Sequence, residues 1–283
     1  MNPDINKLFE PYITAIDGAE CYLAGLPSYP RNFSRDALIA GIIADDAHII
    51  HNQLLMSLKH QGRRTDALTG EEPGKIHHEY PGVIVRSPYV STYNGCDTTA
   101  LYLIGLEALW QLDKKRAINF AREYKSSIET AIQHIENHTA EDIFWDFPPR
   151  GATRFSLRAT YWKDSILPNP NGQDEPTYPV AFALVQFQVA RALLSASKLL
   201  NREDLAHQAD RMFKAGISAF ITVNDFFILH EKQGRLKQAS SDELHCLAFI
   251  PRQYGVLLPF EAICTRASLL VTPVGIACTT RDI

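Results

Sequence analysis

Apolar residues spaced at the helical period recur along almost the whole chain, and the segments that carry them follow one another in pairs. The first runs from Asn6 to Leu23, with Leu8, Phe9, Tyr12, Ile13, Ile16 and Ala19 on one face. Pro11 threatens its first turn, and Gly25 and Pro27 end it. Ser34 to Leu58 predicts a second long helix with Ser34 as its N-cap. Further helices are predicted over Asp97–Leu112, Lys115–Asn137, 178–200 and 202–221, with one or two more between Ser240 and Leu270. Strand is scarce: Val83–Val85, and FFILHE at 226–231, which turns at Gly234. This order predicts an all-α fold of antiparallel helical hairpins with little strand, in a single domain spanning 1–283.

Two stretches interrupt the helices. Residues 61–95 are punctuated by Gly62, Gly70, Pro73, Gly74, Pro81, Gly82, Pro88 and Gly95, and a second loop spans 139–177. Loops this long inside a compact domain are usually functional or disordered. Hydrophobic residues make up 46% of the chain and charged residues 21%, enough apolar material for a large core. A net charge of −4 without a long basic run argues against nucleic acid as the partner. Five cysteines, none in a CxxC pair, fit a reducing compartment. The N-terminus is polar and acidic, unlike a signal peptide, and no apolar run approaches the ~18 residues of a membrane span. The expectation is a cytoplasmic protein with no membrane partner.

Acidic residues add a second regularity. Asp36, Asp97 and Asp164 stand at or before the starts of alternate helices, and Asp242 follows. Their spacing is about 60 to 80 residues, the length that two helices and their connections occupy. Each hairpin therefore presents one carboxylate at the same end of the assembly. Hairpins arranged in a ring bring those ends into one cleft.

The segments around these residues carry a resemblance. AGLPSYPRNFSRDALIAG (24–41) is similar to the first inner helix of the six-hairpin glycosidases, with its aromatic followed by an Arg-Asp pair. PGKIHHEYPG (73–82), YNGCDTTALYLIGLEALW (93–110), YWKDS (161–165) and PVAFALVQFQVARAL (179–193) resemble later segments in order, as do SSDELHCLAFIP (240–251) and VGIACTT (274–280). Together they resemble the amylo-α-1,6-glucosidase, or glycogen-debranching, family.

The resemblance implies an (α/α) six-hairpin barrel, a toroid, that hydrolyses the α-1,6 branch-type glucosidic bonds of an oligo- or polysaccharide with inversion, using no metal and no cofactor. Asp164 matches the general acid. Arg35 and Asp36 would hydrogen-bond adjacent sugar hydroxyls, with the planar donor fork of one and the two acceptor oxygens of the other. Asp97 would lie beside them, Glu79 would face the cleft from its loop, and Tyr93, Tyr161 and Trp162 would stack on sugar faces. An inverting acid needs a raised pKa and an ionised partner across a water. Trp162 offers Asp164 an apolar neighbour, whereas Lys163 would lower its pKa if the ammonium approached. Six hairpins at this spacing need about 390 residues, against the 283 present. The expectation is a barrel without its C-terminal hairpins, with the general base beyond Ile283. Self-association or a complementing chain would then cover the open side. The alternative function is a non-catalytic sugar-binding remnant of the family. A weaker one is another (α/α) barrel enzyme such as a sugar epimerase, which would need histidines in the cleft.

Simpler readings compete at several positions. Arg35-Asp36 could be a helix-start ion pair, and Asp97 an N-cap. Asp242 reads as an N-cap or a cleft residue, and Trp145-Asp146 lies in the second loop. His77, His78 and Glu79 are adjacent and point in divergent directions, which is poor for a metal. His134 and His138 do not form a zinc-peptidase motif and are read as an exposed helix face. Asp45-Asp46 lacks the third carboxylate of an acidic metal-binding repeat.

Overall fold

A computed structural model describes residues 7, 10–163 and 175–279. The helices form two layers, and their sequences explain which layer each occupies. Helices α1 (Ser34–Ile43), α3 (Thr98–Leu112), α6 (Ala183–Leu200) and α8 (Asp242–Phe249) form the inner layer. In α3 the buried side chains lie all around the helix, Leu101, Tyr102, Leu103, Leu106 and Leu109 among them, and α6 is buried along most of its length. A helix apolar on every side belongs in the middle of a fold. Helices α2 (Ala47–Lys59), α4 (Lys114–Glu123), α5 (Lys125–Asn137), α7 (Glu203–Phe220) and α9 (Phe260–Ser268) cover them from outside. Helix α7 buries only the stripe of Leu205, Ala209, Met212, Phe213, Gly216, Ile217 and Phe220, the pattern of a surface helix. The inner helices pack in the order α1–α3–α6–α8, and each is followed in sequence by an outer partner. This is the all-α hairpin barrel expected from the sequence.

Three predicted helices break differently from expectation. Residues 13–22 form a hairpin of β1 (Ile13–Ile16) and β2 (Ala19–Tyr22), with a 3-10 turn at Glu10–Tyr12 ahead of it. Asp17 and Gly18 sit at its turn with φ of 52° and 83°, the backbone that an Asp-Gly hairpin turn requires. That dipeptide, following the β-branched Ile13, Thr14 and Ile16, outweighed the apolar period. The helix expected over 34–58 is two helices. Asp45 takes a φ of 52° between them, and Asp46 caps α2 by accepting from the His48 and Ile49 amides, both at 3.0 Å. The Asp45-Asp46 pair is thus the hairpin turn. Phe33, not Ser34, is the N-cap of α1, and the Ser34 hydroxyl donates to the His77 carbonyl. The helix expected over 115–137 divides at Tyr124 into α4 and α5.

Short antiparallel strands trim the loops. Phe227–Glu231 and Gly234–Lys237 pair as foreseen, and Val180–Phe182 adds to them just ahead of α6. Ile84–Arg86 pairs with Tyr89–Val90 inside the 61–95 loop. That loop folds back on itself, with Gly62 and Gly74 bonded through Gly74 N–H and Gly62 C=O at 2.9 Å. Gly74 has a φ of 86°, and a Cβ there would meet the Thr130 carbonyl oxygen of α5 at 2.0 Å. Only glycine allows the loop to lie this close to the helix.

Candidate active site

A cavity of about 720 Å³ opens between α1, α3, α6 and α8, the two ends of the inner row bordering the same space. At its polar end stand Arg35 and Asp36 in the first turn of α1, Asp97 at the start of α3, Trp162 from the second loop and His245 of α8. The middle is apolar, with Ile39, Leu101, Ile104 and Leu184. At the other end Glu107 pairs with Arg191 and Lys198, both at 2.8 Å, and ties α3 to α6.

Arg35 and Asp97 meet as a fork. Arg35 Nε donates to Asp97 Oδ2 at 2.6 Å and Nη2 to Oδ1 at 2.8 Å. Asp97 occupies the N-cap position of α3 but caps nothing with its side chain; its carboxylate serves Arg35 instead. Burial works against the charge on Arg35, and the Asp97 carboxylate more than offsets it, holding the guanidinium above its ordinary pKa. Asp36 faces the open cavity and is exposed to it. Desolvation pushes its carboxyl up, Arg35 pulls it down, and Asp97 pushes it up again, with a net rise. The polar end therefore holds one carboxylate fixed by a guanidinium and a second carboxyl whose pKa is shifted upward.

Trp162 and Lys163 are anchored to the start of α8. Trp162 Nε1 donates to Asp242 Oδ1 at 2.9 Å. Lys163 Nζ reaches Ser240 Oγ at 2.7 Å, the Cys278 carbonyl at 2.8 Å and Asp242 Oδ2 at 3.3 Å. Lys163 and Asp242 are fully buried. The ammonium that threatened to lower the pKa of Asp164 is thus committed to Asp242. Asp164 itself lies outside the described residues.

The structure brings together Arg35, Asp36, Asp97 and Trp162 of the residues singled out from the sequence. Three others are placed elsewhere. Glu79 is buried against Arg31 at 2.9 Å and accepts from Ser91. The Tyr93 hydroxyl donates to the His60 carbonyl at 2.9 Å, beneath the 61–95 loop. Tyr161 stacks on Phe182 at 4.4 Å in the core, which turns it away from the cavity that its neighbour Trp162 lines. Of the two neighbours, only Trp162 lines the cavity. Asp146 is also buried, accepting from Thr160, and burial raises its carboxyl.

Sequence reasoning missed His245, whose ring lies 5.2 Å from that of Trp162. Burial pushes its pKa down, Asp242 pulls it up, and the net shift is downward. Its signal in the sequence was the histidine within SSDELHCLAFIP, one of the segments that carry the resemblance. Gln188 was missed as well; it lines the cavity, and its Oε1 accepts no hydrogen bond among the described residues. His134 and His138, expected on an exposed face, are 5% and 4% exposed. The 61–95 loop and residues 144–147 cover that side of α5, which the helix's own periodicity could not reveal.

No protein-family model matches the chain, and no curated protein matches it in sequence. Solved structures do resemble it. A rhamnosidase from Klebsiella oxytoca with rhamnose bound superposes with a TM-score of 0.54 at 13% identity, covering 87% of this chain and 43% of that one. An α-mannanase of glycoside hydrolase family 76 from Bacteroides thetaiotaomicron gives 0.55 at 10% identity, covering 97% of this chain and 71% of that one. The chain thus spans less than half of the rhamnosidase it matches. It shares the helical-hairpin barrel fold of glycoside hydrolases.

Proposed function

We propose that this chain belongs to a glycoside hydrolase and that the polar end of the cavity holds the sugar on the non-reducing side of the bond. The observation that carries this is the Arg35–Asp97 fork, set beside Asp36 and under Trp162 at the N-terminal ends of two inner helices. Paired acceptors, a fixed donor fork and an aromatic face suit a ring of adjacent hydroxyls. Within the class, the sequence motifs favour α-1,6 branch-type bonds of a glucan in the cytoplasm. Asp164 would protonate the leaving oxygen with inversion. The two residues just before it, Trp162 and Lys163, are held by Asp242.

A sugar-binding role without turnover is the second reading, and one observation favours it. Among the described residues, the carboxylates at the polar end of the cavity are Asp36 and Asp97, and Asp97 is held by Arg35. Incubation with a branched α-glucan, followed by proton NMR of the released sugar, decides between the two. Hydrolysis giving the inverted anomer, lost in Asp164→Asn with oligosaccharide binding retained, supports the enzyme. Binding without release supports the second reading. Turnover of α-mannan or a rhamnoside instead of glucan would leave the hydrolase standing and remove the glucan assignment.

A further inference from the structure

The buried side of α5 carries a cluster unrelated to the cavity. Glu72 comes from the 61–95 loop, His134 from the last turn of α5 and His138 from its C-cap. One potential ligand atom of each lies within 4.8 Å of the others. His138 Nε2 is 3.1 Å from Glu72 Oε2, and its Nδ1 is 3.0 Å from the Trp145 carbonyl oxygen. The two histidine rings are 4.5 Å apart, and His138 stacks on Phe147 at 4.1 Å.

The tautomer of His138 follows from these contacts. A carbonyl oxygen only accepts, so Nδ1 must carry a proton and donate it to Trp145. In the neutral ring Nε2 then presents a lone pair to a carboxylate oxygen, and two acceptors face each other at hydrogen-bonding distance. A proton, on Nε2 or on the Glu72 carboxyl, or a metal ion must lie between them. A histidine that donates one ring nitrogen to a backbone carbonyl while the other faces a carboxylate has the outer-shell arrangement of metal-ligating imidazoles. His134 is buried beside it.

From this geometry we infer that Glu72, His134 and His138 form a three-ligand site for a divalent transition-metal ion such as Zn²⁺, locking the 61–95 loop to α5. Bonds of about 2.0–2.2 Å in a tetrahedral arrangement need ligand atoms about 3.3 Å apart. Side-chain rotations of the order of 1 Å close the cluster to that size. Glu72 is 16% exposed at its side chain and gives the ion a way in. Gly74 already holds this loop against the Thr130 carbonyl of the same helix. Lys75, buried nearby with its ammonium 4.9 Å from the Phe155 ring centre, opposes a second cation. Three protein ligands leave a fourth position for water, and because the cluster does not line the cavity, the expected role of the ion is to hold the loop on α5.

The test is a Co²⁺ titration of the full chain after dialysis against EDTA, read by visible absorption, with Zn²⁺ competition and melting curves in parallel. The expected result is one Co²⁺ per chain with the intense visible bands of a four-coordinate site, displacement by Zn²⁺, and a higher Tm with Zn²⁺. Glu72→Gln and His134→Asn should each weaken binding at least tenfold, while His207→Gln, an exposed histidine elsewhere, leaves it unchanged. Glu72→Gln keeps the shape of a half-buried side chain, so it decides the matter if the histidine variant fails to fold. Absence of stoichiometric binding would overturn the inference. So would binding that is indifferent to Glu72→Gln, or a Tm that falls with Zn²⁺.

Discussion

The Arg35–Asp97 fork offers the sharpest test of how this site is built, because its energy can be worked from its burial. The side chain of Asp97 is 1% exposed and that of Arg35 13%. Arg35→Met removes two charge-assisted hydrogen bonds and leaves a buried carboxylate without compensation, a loss of about 3–5 kcal/mol. Asp97→Asn leaves a guanidinium that still borders the solvent-filled cavity and keeps an amide oxygen as acceptor. Its cost is expected to be about 1–3 kcal/mol. In the double variant neither charge remains, so its loss should be smaller than the sum of the two single losses by about 1–3 kcal/mol. Urea unfolding of the four proteins, followed by far-UV circular dichroism, measures this coupling directly. Singles and double that add within about 0.5 kcal/mol would show that the two side chains act independently. The fork would then have no part in holding α1 to α3.

Three other outcomes are expected. Asp36→Asn should raise Tm at neutral pH and lower turnover at least tenfold, because the raised carboxyl costs the folded state stability wherever it is ionised. That cost vanishes as pH falls below the unfolded carboxylate value of about 3.9, so melting curves at pH 7 and pH 3.5 should show the gain shrinking; equal gains at both would refute the desolvation argument. Gly74→Ala should destabilise by more than about 1 kcal/mol, since its φ is positive and a Cβ would strike the Thr130 carbonyl; a neutral result in denaturant titration would mean that the loop does not pack on α5 this closely. Asp242→Ala should cost about 3–5 kcal/mol by stranding the buried Lys163 ammonium and, in a Trp110→Phe/Trp145→Phe background, shift Trp162 emission to the red; unchanged emission would show that Asp242 does not position the indole.

The fold class was written in local patterns. The helical period marked most of the hairpin helices, and recurring acidic residues at helix starts marked the end that carries the polar side chains. Asp36 and Asp97 meet there because each sits at the beginning of an inner helix, and inner helices of successive hairpins run in the same direction. Where local signals competed, the pattern alone misled. Asp17-Gly18 turned an apolar run into a hairpin, and Asp45-Asp46 divided one long helix into two.

What the sequence by itself determined was therefore the set of helices and the end of the assembly at which chemistry belongs, because period and capping are properties of neighbours along the chain. Tertiary structure decided which side chains share a space. Trp162 reaches the cavity while Tyr161 enters the core, Glu79 is taken by Arg31, and His245 arrives from α8. It also buried His134 and His138, since the 61–95 loop that covers them has no periodic signal to announce where it lies. Contacts between residues far apart in sequence depend on how loops cross helix faces, and that is set by packing of the whole molecule.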